Sequence, residues 1–188
     1  ESIDNILDIA WLKENGKCRH IIATGCLVER YREAVMEELP ELDGILGVGS
    51  LTDIADACRA VMRGEKYTSF KDKETSVLGG ERILTTADHT AYLKIAEGCD
   101  NRCSYCIIPY LRGKYRSRQM DDVLYEARLL AASGVKELIV VAQDTCRYGT
   151  DFPEHKRLLP QLLRELCAIP EFHWVRVHYL YPDLIDDE

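Results

Sequence analysis

The chain has 188 residues, of which 46% are hydrophobic and 30% are charged, and its formal net charge is −8. This composition excludes a wholly disordered or low-complexity chain and suits one domain or two small ones. We find no stretch near the roughly 18 apolar residues of a membrane span and no signal-peptide pattern, so we expect a cytoplasmic protein without membrane contacts. The acidity argues against nucleic-acid binding by the chain as a whole. Eight cysteines in a reducing compartment indicate metal ligands or redox groups before disulfides.

The first half of the chain alternates between helical and strand patterns. Apolar periodicity predicts helices over residues 2–14, 29–39 and 51–62, and short apolar runs predict strands over 21–23 and 44–49. One stripe of the first helix carries its apolar side chains, which are Ile3, Ile6, Leu7, Ala10 and Trp11. Together these elements predict a small parallel α/β domain over residues 1–64.

The second half repeats the alternation after a break. Residues 65–88 have little apolar periodicity, and we expect a linker or an extended crossover there. Strands are then predicted over 91–96, 137–142 and 174–179, and helices over 120–132 and 158–167. This is a parallel β-α-β-α-β series over residues 89–188. Because it would leave an unprotected sheet edge, and because a helix opens the chain, we expect a fragment of a longer protein.

The sharpest motif is the segment Cys99-Asp-Asn-Arg-Cys103-Ser-Tyr-Cys106, which follows the first strand of the second half. Three thiolates this close in sequence can bind a soft metal or an iron–sulfur cluster. A structural zinc site favours a fourth ligand at matched spacing, and none lies nearby. A cluster on three thiolates would leave one iron open to an exogenous ligand. Structural zinc and an electron-carrying cluster remain the non-catalytic alternatives.

This spacing, with the aromatic residue Tyr105 before the last cysteine, resembles the radical S-adenosylmethionine (SAM) superfamily. The resemblance implies a partial (βα) TIM barrel and a [4Fe-4S] cluster on Cys99, Cys103 and Cys106. It implies that SAM chelates the open iron and is cleaved, after one-electron reduction, to methionine and a 5′-deoxyadenosyl radical.

Two neighbouring segments narrow the resemblance to the methylthiotransferase branch. Residues 106–118 contain the Pro-x-x-Arg-Gly and Ser-Arg of that branch. Residues 142–149, Ala-Gln-Asp-Thr-Cys-Arg-Tyr-Gly, are similar to members that modify a ribosomal protein, whereas tRNA-modifying members tend to have Gln-Asn-Val. Cys146 departs from the pattern, since a Thr or Ser is more usual there.

The first half resembles the N-terminal domain of the same branch, through the motif Ala23-Thr-Gly-Cys26. This implies that Cys26 is one of three ligands of a second, auxiliary [4Fe-4S] cluster, with the other two before Glu1. A small buried thiol is the alternative. Residues 1–64 would then be the auxiliary-cluster domain, incomplete at its start, and residues 89–188 the radical SAM barrel, incomplete at its end.

Candidate cofactor-binding residues are Tyr105, Arg118 and Gln143, and we name no catalytic residue. Arg118 ends a basic run that starts at Arg112 and could hold the cofactor carboxylate, an acidic substrate or RNA, or form a solvated loop. Gln143 and Asp144 follow the second strand of the series, on the rim that carries the cysteine motif. Loop capping is the alternative role for this pair.

The resemblance as a whole implies a methylthiotransferase that acts on the β-carbon of an aspartate in small-subunit ribosomal protein number twelve. One SAM would supply the methyl group and another the radical, because an unactivated carbon offers no acidic proton to a base. The implied partners are the ribosomal protein and proteins that donate sulfur and electrons. The same chemistry on a tRNA adenosine is the nearer alternative.

Overall fold

The computed structural model describes residues 2–75, 79–80, 82–85 and 87–184 and forms two compact units. Among the described residues, the first unit comprises 2–75 and Tyr110–Arg112, and the second comprises 79–80, 82–85, 87–109 and 113–184. None of the helices within the described ranges combines the length and the apolar character that a membrane span requires. Each unit has a parallel sheet with helical connections, which confirms the predicted α/β class.

The first unit is built on a three-stranded parallel sheet. Its strands are β1 (Ile22–Thr24), β2 (Gly44–Leu46) and β3 (Tyr67–Ser69), in that spatial order. Its helices are α1 (Ser2–Asn15), α2 (Cys26–Tyr31), α3 (Glu33–Glu38) and α4 (Ile54–Met62), and a 3-10 helix over Val48–Asp53 leads into α4. Parallel strands need crossover connections, which α2, α3 and α4 supply.

Several elements of the first unit differ from the prediction. The strand predicted over 44–49 ends at Leu46, and a 3-10 helix over Val48–Asp53 precedes α4. The helix expected over 29–39 is divided into α2 and α3, because Arg32 has a φ of +48° and interrupts the helical backbone. The expected linker starts later than residue 65, because Tyr67–Ser69 pair with β2 as a third strand. Residues 76–78, 81 and 86 of that linker, and residues 185–188 of the predicted barrel, lie outside the described residues.

Fewer apolar side chains of α1 are buried in the core of the first unit than the sequence pattern predicts. Ala10 is buried there, whereas Ile3, Leu7 and Trp11 are exposed. The buried members of this core are Ala10, Ile21, Val28, Val35, Leu42 and Ile45. The sheet and its crossover helices therefore dominate the packing, and α1 lies at the margin.

The second unit confirms the β-α-β-α-β series. Its sheet has the order β4 (Thr90–Lys94), β7 (Glu137–Val141) and β8 (Trp174–Val177), all parallel. Between β4 and β7 the chain forms β5 (Ala96–Glu97), α5 (Ile108–Arg112), β6 (Arg116–Ser117) and α6 (Met120–Ala132), with β5 and β6 paired antiparallel. The helix α7 (Leu159–Cys167) connects β7 to β8.

The core of the second unit brings the strand ends together. Apolar side chains of β4 and β7 cluster with those of α6 and α7, among them Leu93, Val140, Val123, Ala127 and Leu162. Because the three strands are parallel, their carboxyl ends meet at one edge of the sheet. The segments that follow β4, β7 and β8 therefore share a rim, where the chemistry of such folds is usually found. The short strand β5 lies in the first of these segments.

Candidate cofactor site

The cysteine loop, defined here as residues 98–106, begins directly after β5. Gly98 has a φ of +79°, a conformation that favours glycine, and a Cβ at this position would overlap the carbonyl oxygen of Lys114. The amide of Cys99 donates to the carbonyl of Gly113 at 3.2 Å. The start of the loop therefore lies tight against the segment that leads into β6, which requires glycine at position 98.

The three cysteines of this loop are free thiols. Cys99 is buried, and Cys103 and Cys106 are half-buried. Burial raises the pKa of the Cys99 thiol, against the effect of a backbone hydrogen bond at Asn101. Across the described residues, no three Cys, His, Asp or Glu side chains are grouped closely enough to hold a metal ion. The loop holds three soft donor atoms in one segment of the chain. To bind a cluster, the three thiol side chains would have to move closer to one another.

Gln143, predicted as a cofactor-binding residue, lies at the end of β7 and reaches the start of the cysteine loop. Its Nε2 donates to Oε1 of Glu97 at 2.8 Å, and the same oxygen accepts from the amide of Gly98 at 3.2 Å. The Lys94 ammonium pairs with the other oxygen of Glu97. Oε1 of Gln143 is buried and has no hydrogen-bond partner within the described part of the chain. Gln143 therefore presents an open acceptor at the rim.

Asp144, the next residue, is fully buried. Its Oδ2 accepts from Nδ2 of Asn101 at 2.8 Å and from Nε of Arg147 at 3.0 Å. Its Oδ1 is buried and, among the residues that the structure describes, has no partner. The sequence pattern pointed to Asp144 only as half of a polar pair that ends an apolar strand. The structure gives it two acceptor oxygens, of which one is still open.

Tyr181 follows β8 and lies beside the cysteine loop, which the sequence did not indicate. Its amide donates to Sγ of the buried Cys146 at 3.2 Å, so Cys146 helps to hold this segment in place. Burial raises the pKa of the Tyr181 hydroxyl, a hydrogen bond with Asn101 opposes that shift, and the neighbouring Cys99 thiol adds to it. All three strand ends therefore contribute polar groups around the first cysteine.

The other predicted cofactor-binding residues have different surroundings. Arg118 is buried, and its guanidinium donates to Asp122 at 2.8 Å, to Glu126 at 2.6 Å and to the Lys94 carbonyl at 2.7 Å. These contacts join it to α6 and β4. The Tyr105 side chain is 90% exposed. Cofactor binding by Arg118 and Tyr105 stays a prediction.

Cys26, predicted as a metal ligand, begins α2 in the first unit. Gly25 before it has a φ of +101°, and the thiol is half-buried. Its Sγ accepts from Nε of Arg112 at 3.2 Å, and Arg112 groups with the first unit. This position, at the end of β1, suits a ligand shared with another segment, and the ligand role stays a prediction.

Comparison with known proteins bears on both units. A family model described as the radical SAM superfamily matches residues 93–187, about half of the chain. The protein named ribosomal protein uS12 methylthiotransferase RimO is 50% identical over 193 residues in Syntrophus aciditrophicus and 47% identical over 189 residues in Lachnoclostridium phytofermentans. Both similarities cover all of this chain, but only 42% and 43% of the relative. The chain therefore spans less than half the length of these relatives.

A solved structure agrees with the fold. It is the radical S-adenosylmethionine methyltransferase TsrM from Kitasatospora setae, with cobalamin and a [4Fe-4S] cluster bound. The TM-score is 0.51 at 17% identity, covering 78% of this chain and 33% of that one. The parallel βα series, the three-thiol loop at its rim and the match to the family model agree with one another. The chain belongs to the radical SAM superfamily.

Proposed function

We propose that the complete protein is a methylthiotransferase that modifies an aspartate β-carbon of ribosomal protein uS12. The observation that carries this proposal is the identity of about half of all residues, along the whole chain, to proteins named uS12 methylthiotransferases. The substrate is ribosomal, so we also propose a cytoplasmic location.

Cys99, Cys103 and Cys106 would hold one [4Fe-4S] cluster, since three thiols in eight residues supply the soft donors that such a cluster needs. When bound, this cluster supplies the electron that cleaves SAM and generates the radical. The loop residues fix where that happens, because Gly98 and the Cys99 amide lie tight against the segment before β6.

The open acceptors at the end of β7 suit an N–H donor of the cofactor. Oε1 of Gln143 and Oδ1 of Asp144 are buried without partners in the described chain. A buried acceptor left without a donor costs about 1–3 kcal/mol. An amino group that binds the open iron through its lone pair keeps two N–H donors, whose hydrogen bonds such acceptors would receive. This supports Gln143 as a cofactor-binding residue and adds Asp144 to the proposal.

Cys26 would join two cysteines outside this chain in an auxiliary cluster that takes part in sulfur insertion. We infer that the first unit belongs to this auxiliary-cluster domain and that the second unit begins the catalytic barrel. Residues 1–64 and β3 would then lie in the first domain. Separate proteins would supply electrons and sulfur.

Substrate competition tests the proposal. The complete protein, reconstituted anaerobically, is incubated with uS12 and with bulk tRNA in the presence of SAM, a sulfide source and a reductant. We expect mass spectrometry to find one added methylthio group on a single aspartate of uS12, and none in a control without reductant. Methylthiolation of tRNA with no change in the mass of uS12 would overturn the proposal in favour of the tRNA reaction.

A further inference from the structure

Two hydrogen bonds connect the cysteine loop to the end of β7, one on each side of Cys99. Glu97, two residues before Cys99, accepts from Gln143 at 2.8 Å. Asn101, two residues after it, donates to Asp144 at 2.8 Å. Gln143 and Asp144 are adjacent, so a single strand end holds the first cysteine from both sides.

Of these two hydrogen bonds, the one between Asn101 and Asp144 involves a buried charged group. Asp144 is fully buried, and a buried carboxylate is unfavourable unless donors surround it. One donor is Asn101, between Cys99 and Cys103, and the other is Arg147, in the turn after β7. The carboxylate thereby anchors the Asn101 side chain, which belongs to the part of the loop between the first two thiols.

We propose that Asn101 and Asp144 are a positioning pair that fixes the cysteine loop so that its thiols meet around one cluster. This inference rests on the proposed function of the loop as a cluster site. Neither side chain needs to bind the metal for this role, since both act through the loop backbone. Mutation of a residue that hydrogen-bonds to a metal ligand typically changes metal affinity by about 10- to 100-fold.

A swap of the two side chains tests the pair. Asn101→Asp removes the donor and places two carboxylates face to face, which opposes loop closure. The double variant Asn101→Asp with Asp144→Asn restores a donor and an acceptor with the polarity reversed. Asn101→Ala removes the donor without adding charge and covers the case in which Asn101→Asp does not fold. Asp121→Asn, at an exposed position of α6, is the matched control for loss of a carboxylate.

The first readout needs no cluster. Hydrogen exchange in the complete, metal-free protein should show faster exchange of the Cys99 and Cys106 amides in Asn101→Asp and Asn101→Ala. The double variant should return toward the wild-type rate, and Asp121→Asn should match wild type. In the reconstituted protein, a chelator should remove the SAM-responsive cluster about 10-fold faster from Asn101→Asp than from wild type. The loss of the cluster is monitored by electron paramagnetic resonance.

The outcomes separate the two proposals. Unchanged amide exchange in both single Asn101 variants, or a double variant as perturbed as Asn101→Asp, would overturn the positioning pair. A wild-type protein that takes up no SAM-responsive cluster would instead overturn the proposed function. In that case, amide exchange in the metal-free loop would still show whether Asn101 and Asp144 fix the loop.

Discussion

Each unit carries a cysteine directly after a glycine with positive φ, and the two positions differ in their surroundings. Gly25 and Cys26 begin α2, and a Cβ on Gly25 would meet no atom within 4 Å. Gly98 and Cys99 begin the cysteine loop, where a Cβ would overlap backbone. The first position presents one half-buried thiol beside Arg112, whereas the second is one of three thiols in a packed loop with buried polar partners. A ligand shared with another segment needs access, and a local ligand set needs a fixed backbone.

The largest expected effect tests whether the two cysteine positions have separate roles, one in SAM cleavage and the other in sulfur insertion. Replacing Cys99, Cys103 and Cys106 by alanine in the complete protein should abolish reductive cleavage of SAM, because no cluster would deliver the electron. Cys26→Ala should remove sulfur insertion and leave that cleavage measurable. Production of 5′-deoxyadenosine after anaerobic reconstitution is the assay. If the triple variant kept the cleavage, or Cys26→Ala lost it, these roles would be wrong.

The two glycines should respond differently to the same substitution. Gly98→Ala combines the cost of left-handed backbone with overlap against Lys114, so we expect a loss of about 3 kcal/mol in the stability of the second unit. Gly25→Ala has the backbone cost alone, about 2 kcal/mol in the first unit, because φ +101° and ψ −157° define a conformation that essentially only glycine adopts. Hydrogen exchange of β7 and β2 amides measures each unit separately. Equal losses in the two variants would contradict the difference in crowding.

The smallest effect is a pH dependence confined to the first unit. A hydrogen bond from Lys71, at 2.5 Å, lowers the pKa of Asp53 from 3.8. A carboxyl whose pKa falls on folding stabilises the fold above its unfolded pKa, and loses that contribution as the pH drops through the folded value. Asp53→Asn should therefore flatten the acid dependence of β2 amide protection below about pH 4, with β7 unaffected. An unchanged acid profile in that variant would contradict the assignment.

Regular elements and the ligand set followed from the sequence because both are encoded locally. The helix predicted over 120–132 is α6, Met120–Ala132, and its apolar period needs no knowledge of its partners. The three thiols lie within eight residues of one another, so their spacing alone indicated a cluster. The parallel orientation of the strands followed from their alternation with helices.

Only the tertiary structure decided the features that depend on pairing between distant segments. Tyr67–Ser69 is a strand because β2 offers it hydrogen bonds, and its own three residues show no apolar run. Arg32 divides a helix through a backbone angle that its side chain does not reveal. Asn101 and Asp144 are 43 residues apart, and Glu97 and Gln143 are 46 apart. The register of β4 beside β7 brings these side chains together. That register cannot be predicted from periodicity, composition or motif spacing, because it depends on how distant segments pair.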